Sequence, residues 1–146
     1  MKMPPIEKIY EAYSVIADKR YELGGRSALV FSSDYSKTYT VTWIDQLYTS
    51  NDAATYWQGY PGYPILVVLL LQGKLPLTEE VMKKFEGIDW DQINKKHKRN
   101  YANAVKEVMM IKNLNDKIAQ REVHKIYREL ELLSLSIRRS SLKPPK

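Results

Sequence analysis

A chain of 146 residues with 44% hydrophobic and 27% charged content has the composition of one ordinary globular domain, not of a disordered segment. Cysteine is absent, which excludes disulfides, thiolate zinc sites and thiol nucleophiles together, and the only long apolar run, residues 64–71, is far shorter than the about 20 residues a membrane span needs. The formal net charge is +6 and all of the excess lies beyond residue 75, so the second half of the chain directs attention to anionic partners such as nucleic acid. The opening residues lack the apolar core of a signal peptide, and the expected location is the cytoplasm.

Ile6, Ile9, Tyr10, Tyr13 and Ile16 recur at spacings of three and four after Pro4 and Pro5, which predicts an amphipathic helix within residues 1–20. Gly24 and Gly25 break the pattern. The β-branched and aromatic segments SALVFSS and KTYTVTW then flank Asp34, Tyr35 and Ser36 and predict a two-stranded hairpin. Tyr39, Val41 and Trp43 alternate with Thr38, Thr40 and Thr42, so one face should be buried and the other wet. Residues 45–63 have no clear period, and their turn residues and aromatics predict an ordered loop. Pro64 suits the first turn of a helix, where its missing N–H costs nothing, so the aliphatic run from Ile65 should be helical to Gln72 and stop at Gly73.

The succession VFSSDYSKTYTVTW, YTSND, GYPGYPILVVLLLQGKL resembles the SWIM zinc-finger family, in which a two-stranded hairpin precedes a Cys-x-Cys loop and a Cys-x-His pair opening a hydrophobic helix. Tyr39, Thr40 and Val41 match the family's strand, Asp52 stands two residues beyond Ser50, and Gly59 and Pro61 precede the run from Ile65. The resemblance spans residues 27–75 and implies a ββα unit within residues 21–75, with DNA or protein as the partner. Tyr48 and Ser50 stand where the family has its first two cysteines, and Gly62 and Pro64 where it has the last cysteine and the histidine. Zinc takes thiolate or imidazole, so none of these residues is an ordinary ligand, and no metal or cofactor is expected. Something else must join the loop to the helix. Tyr48, Tyr56, Trp57, Tyr60 and Tyr63 can do so by packing over the aliphatic helix, or can stand exposed as a platform for stacking bases or docking a peptide.

Beyond residue 75 the pattern is helical. Thr78 can cap a short helix that runs through Phe85 and ends at Gly87. Asp89 and Gln92 have capping-box spacing and open a helix expected to reach Lys112, with Trp90, Ile93, His97, Tyr101, Ala104, Val108 and Ile111 as its stripe. A turn is expected at residues 113–116. Ile118, Val123, Ile126, Leu130, Leu133 and Ile137 form a further stripe, which predicts an antiparallel helical hairpin, and residues 140–146 read as a flexible tail.

Within this basic region, residues 76–139, Lys117, Arg121, Lys125 and Arg128 fall in a sector of about 80° opposite the apolar stripe. The run KKHKR adds Lys95, Lys96, Lys98 and Arg99. Such a surface can neutralise phosphates with salt-sensitive affinity and little base readout; the alternative is a plain solvated face flanked by Glu122 and Glu129.

His97 and His124 would sit about 12 Å apart along the expected hairpin, too far to share a metal. There is no phosphate-binding glycine loop, nucleophile elbow or paired-carboxylate motif, and Ser32, Ser33 and Ser36 beside Asp34 read as turn formers. The expectation is a single α+β domain, residues 1–146: an N-terminal helix, a SWIM-like ββα unit without metal and a C-terminal antiparallel helical hairpin. No catalytic residue is assigned. The expected function is a non-catalytic module contacting nucleic-acid phosphates through the basic C-terminal helices. The alternative is an adaptor that docks a protein through the aromatic loop or an apolar helical face.

Overall fold

The computed structural model describes residues 1–114 and 117–146 and is α+β. Helix α1 (Lys8–Ala17) fulfils the first helical pattern, with Ile9, Ala12, Tyr13, Val15 and Ile16 buried. Strands β1 (Tyr21–Leu23), β2 (Ser27–Phe31), β3 (Thr38–Ile44) and β4 (Leu47–Ser50) follow as an antiparallel meander. The predicted hairpin is β2 and β3, in register Ala28↔Val41 and Val30↔Tyr39. Tyr39 and Val41 are buried while Thr38 and Thr42 are exposed, as the alternation requires.

The stretch expected to be an ordered loop, residues 45–63, holds regular secondary structure instead. It contains β4 and a π-helical turn, Ala54–Gln58, closed by Gly59 at φ 76°. Helix α2 (Tyr63–Leu71) carries Pro64 in its first turn, and every residue from Pro64 to Leu70 is buried. A helix apolar all round must be covered all round. Helix α2 accordingly lies against α1 and against β3 and β4.

Helix α3 (Glu79–Met82) continues into a 3₁₀ turn, Lys83–Phe85. The Phe85 ring lies 5.2 Å from that of Tyr10 and 5.7 Å from that of Tyr13. Thr78 does not cap α3 with its side chain; its hydroxyl donates to Glu122 Oε2 at 2.9 Å instead. Asp89 does cap the next helix, accepting from Gln92 N at 3.2 Å. That helix, however, does not run on to Lys112. It is α4 (Trp90–Lys96), and α5 (Tyr101–Ile111) starts afresh at Asn100, whose side chain accepts from Asn103 N at 3.1 Å. Between them Lys98 and Arg99 have φ of 52° and 63°, a left-handed pair that cannot continue a right-handed helix.

The turn expected at residues 113–116 lies partly outside the described residues; Asn113 has left-handed backbone, φ 51°. Helix α6 (Lys117–Leu132) buries Ala119, Val123, Ile126 and Leu130 and packs on α1 and α3, while α5 packs on α4. Ile137, expected on the last helical stripe, belongs instead to strand β5 (Ser136–Arg139), which pairs in parallel with β4 and completes a five-stranded sheet of order β1-β2-β3-β4-β5. The end of the chain is tied to the same corner, where Asn51 Nδ2 donates to Lys143 O at 3.2 Å.

Candidate functional site

The loop joins the helix through a buried carboxylate. Asp52 Oδ1 accepts from Ser50 Oγ at 2.5 Å and Oδ2 from Thr55 N at 3.0 Å, while Thr55 Oγ1 accepts from Gly62 N at 2.9 Å. Ser50, Asp52, Thr55 and Gly62 are all buried, so this chain of bonds links the end of β4, the π turn and the start of α2 out of reach of water. Burial pushes the Asp52 carboxyl up from its ordinary value, opposed by the bonds from Ser50 and Thr55. Sequence reasoning assigned this junction to the aromatics and missed the node, whose signal was S-N-D-x-x-T, a cluster of short polar side chains able to bond nearby backbone. Of the residues at the SWIM ligand positions, Ser50 and Gly62 meet here. Pro64 is buried in the first turn of α2, and Tyr48 points to the other end of that helix, where its hydroxyl donates to Gln72 Oε1 at 2.7 Å and accepts from Lys74 Nζ at 2.8 Å.

The five aromatics therefore do not form one cluster. Tyr48 is fully buried and stacks on Trp43 at 6.1 Å, and Tyr63 is half-buried, edge-on to Tyr39 at 5.9 Å. Trp57 does not pack over the aliphatic helix. It is 64% exposed, carried outward by the π turn, with the Tyr56 ring nearly perpendicular to it at 4.7 Å. The Arg139 guanidinium lies 4.6 Å from the Tyr56 ring centre and 5.5 Å from that of Trp57. Tyr60 is half-buried under Lys2, whose Nζ also donates to Gln58 O at 3.1 Å.

On α6, Lys117, Arg121, Lys125 and Arg128 are all exposed, on the face away from the buried stripe. Among the described residues, Arg121, Lys125 and Arg128 hold no ion pair. The KKHKR run is not a uniform patch. Lys95, Lys98 and Arg99 are exposed, but Lys96 Nζ sits 2.5 Å from Glu107 Oε1, which His97 Nε2 also approaches at 3.1 Å. These bonds hold the Glu107 carboxyl below its ordinary value and bridge α4 to α5. His97 and His124 do not meet there: His124 Nδ1 faces Gln120 O of its own helix at 2.8 Å. Among the described residues no group of three or more His, Asp or Glu is placed to hold a metal ion.

Sequence reasoning missed two further features. Lys8 and Glu11 form a buried ion pair at 3.3 Å; Lys8 Nζ lies 4.2 Å from the Tyr101 ring centre and Asn94 Nδ2 donates to Glu11 Oε1 at 3.3 Å, so the pair ties α1 to α4 and α5. Burial holds the Glu11 carboxyl above its ordinary value despite Lys8. Beside the Glu107 bridge, an open groove of about 460 Å³ runs between α4 and α5, lined by Ile88, Ile93, Val108 and Ile111 among others. Met110 and Ile111 are strongly exposed.

No curated protein and no solved structure matches the chain. Residues 1–136 match the model of the family described as uncharacterised conserved protein UCP014422, and the chain belongs to that family.

Proposed function

We propose that the protein is a non-catalytic module that contacts nucleic-acid phosphates through α6. The observation that carries this reading is the face itself: Arg121, Lys125 and Arg128 are exposed, unpaired among the described residues, and one or two turns apart on a single rigid helix. A cation whose charge is not already spent on a carboxylate is available to displace the counterions of a phosphate backbone. The ridge stands on a helix fixed by its buried stripe, so binding orders little more than side chains.

The SWIM-like reading of residues 27–75 belongs to the same proposal. It is supported by the order of hairpin, loop and apolar helix, and by the bonds that join Ser50 to Gly62 through Asp52 and Thr55 where that family uses an ion. No described helix is long and apolar enough to cross a membrane, and the reading takes the cytoplasm as its setting. The second reading, an adaptor for a protein partner, is favoured by the α4–α5 groove and the exposed Met110 and Ile111.

Fluorescence anisotropy with labelled duplex DNA tests the proposal. The variant carrying Arg121→Glu and Lys125→Glu should lose binding and keep its circular dichroism spectrum, because exposed charges contribute little to stability. Wild-type protein that ignores nucleic acid at low salt would sink the reading and promote the adaptor.

A further inference from the structure

The geometry points to Trp57 as a stacking site for one unpaired nucleobase, with Tyr56 and Arg139 as its supports. The inference rests on the nucleic-acid reading and adds to it a preference for single strands over duplex. A large apolar ring left 64% exposed gains nothing for the fold from that exposure, yet the turn that carries it is tied to the buried Asp52 node. The π turn is held from below by the Asp52 and Thr55 bonds and by backbone bonds from Tyr56 N to Asp52 O at 2.9 Å and from Gly59 N to Thr55 O at 3.0 Å. The Tyr56 and Trp57 rings meet at 76° with their centres 4.7 Å apart, and Arg139 of β5 lies over both.

That arrangement has three consequences for a ligand. Tyr56 and Arg139 already lie against the indole and restrict its rotamers, so stacking on it costs less conformational entropy than on a free ring. The Arg139 guanidinium lies over one face of the indole at 5.5 Å, so a base would take the opposite face, with this positive charge within reach of its flanking phosphate. Stacking needs an accessible π-face, which bases in a duplex present only at the ends, so Trp57 discriminates single strands from duplex while the α6 ridge does not. Sequence recognition is not implied, since every base has such a face.

The test compares wild type, Trp57→Ala, Trp57→Phe and the Arg121→Glu, Lys125→Glu variant against labelled oligothymidylate and a duplex of equal phosphate number. Trp57→Ala should weaken the single strand by about tenfold and leave the duplex unchanged, and Trp57→Phe should restore most of the loss. Tryptophan emission should be quenched by oligothymidylate in wild type and not in Trp57→Phe, even though that variant still binds; Trp90 is buried and Trp43 is stacked on Tyr48, so Trp57 is the accessible reporter. Equal losses on both probes, or none on the single strand, would overturn the stacking site while leaving the α6 reading intact. Single-strand binding that depends on Trp57 but is indifferent to the α6 reversal would support the stacking site and overturn the ridge. Wild-type protein that binds neither probe would overturn both.

Discussion

Asp52 fills the space that a side chain on Gly62 would need: an ideal β-carbon built on the glycine falls 2.1 Å from Asp52 Oδ2. The constraint is contact, not backbone strain, because Gly62 has φ −74° and ψ 177°, which any residue adopts. Gly62→Ala must push the carboxylate out of its buried bonds and should cost about 2–4 kcal/mol in urea denaturation. Gly25→Ala is the control, since nothing lies within 4 Å of its β-carbon. Its effect should stay within about 0.5 kcal/mol. Equal effects at the two glycines would show that the Asp52 node does not constrain the loop.

The two ends of the aromatic series should differ in stability. Tyr48 is fully buried between Trp43 and the end of α2, so Tyr48→Ala should cost about 3–5 kcal/mol, whereas Trp57→Ala should cost less than about 1 kcal/mol, mainly the contact with Arg139. Thermal or chemical denaturation of both variants reads the difference. A large loss at Trp57 would mean that the ring supports the core and is not a free platform.

Stability should also respond to the protonation of Asp52. Burial raises its folded-state value above the unfolded one, so the folded protein holds the proton more tightly. The stability this contributes is complete below the ordinary carboxylate range and is lost as pH rises through the raised value. Burial raises Glu11 and Asp91 in the same direction, and the lowered Glu107 opposes them, so the whole-protein profile mixes several groups. Asp52→Asn isolates one of them. The amide can still accept from Thr55 N and pair with Ser50, so the variant should match wild type in acid and gain on it progressively toward neutral pH. A stability difference that does not change with pH would contradict the assignment.

What could be read before folding, and what could not, divides along the range of the interactions. Helix α1, the β2–β3 hairpin and α2 were legible because local period and Pro64 decide them. Strand β5 was not: Ser136–Arg139 has little strand character of its own and is extended because β4, distant in sequence, supplies its partners. The break after α4 was hidden because Lys98 and Arg99 take left-handed backbone without a glycine to announce it, although Asn100 was a readable cap. For the candidate site, exposure of the α6 cations followed from helical spacing alone. The fates of Trp57 and Lys96 did not, because one depends on the π turn that carries the ring outward and the other on Glu107 of the next helix.

That last contrast yields a prediction about the binding footprint. Binding of duplex DNA should fall log-linearly with salt, with a slope of about three to six set by the phosphates neutralised. Each free cation in the footprint contributes about one unit of that slope. Lys125 is exposed and unpaired among the described residues, so Lys125→Gln should lower the slope by about one. Lys96 already faces Glu107 at 2.5 Å and would have to abandon that carboxylate to serve a phosphate, so Lys96→Gln should leave the slope unchanged. Anisotropy titrations at several salt concentrations measure both. An equal drop for the two variants would mean that the Glu107 bridge opens on binding, which would extend the interface from α6 to the α4–α5 junction and bring Lys95, Lys98 and Arg99 into it; a drop for Lys96 alone would take α6 out of the footprint.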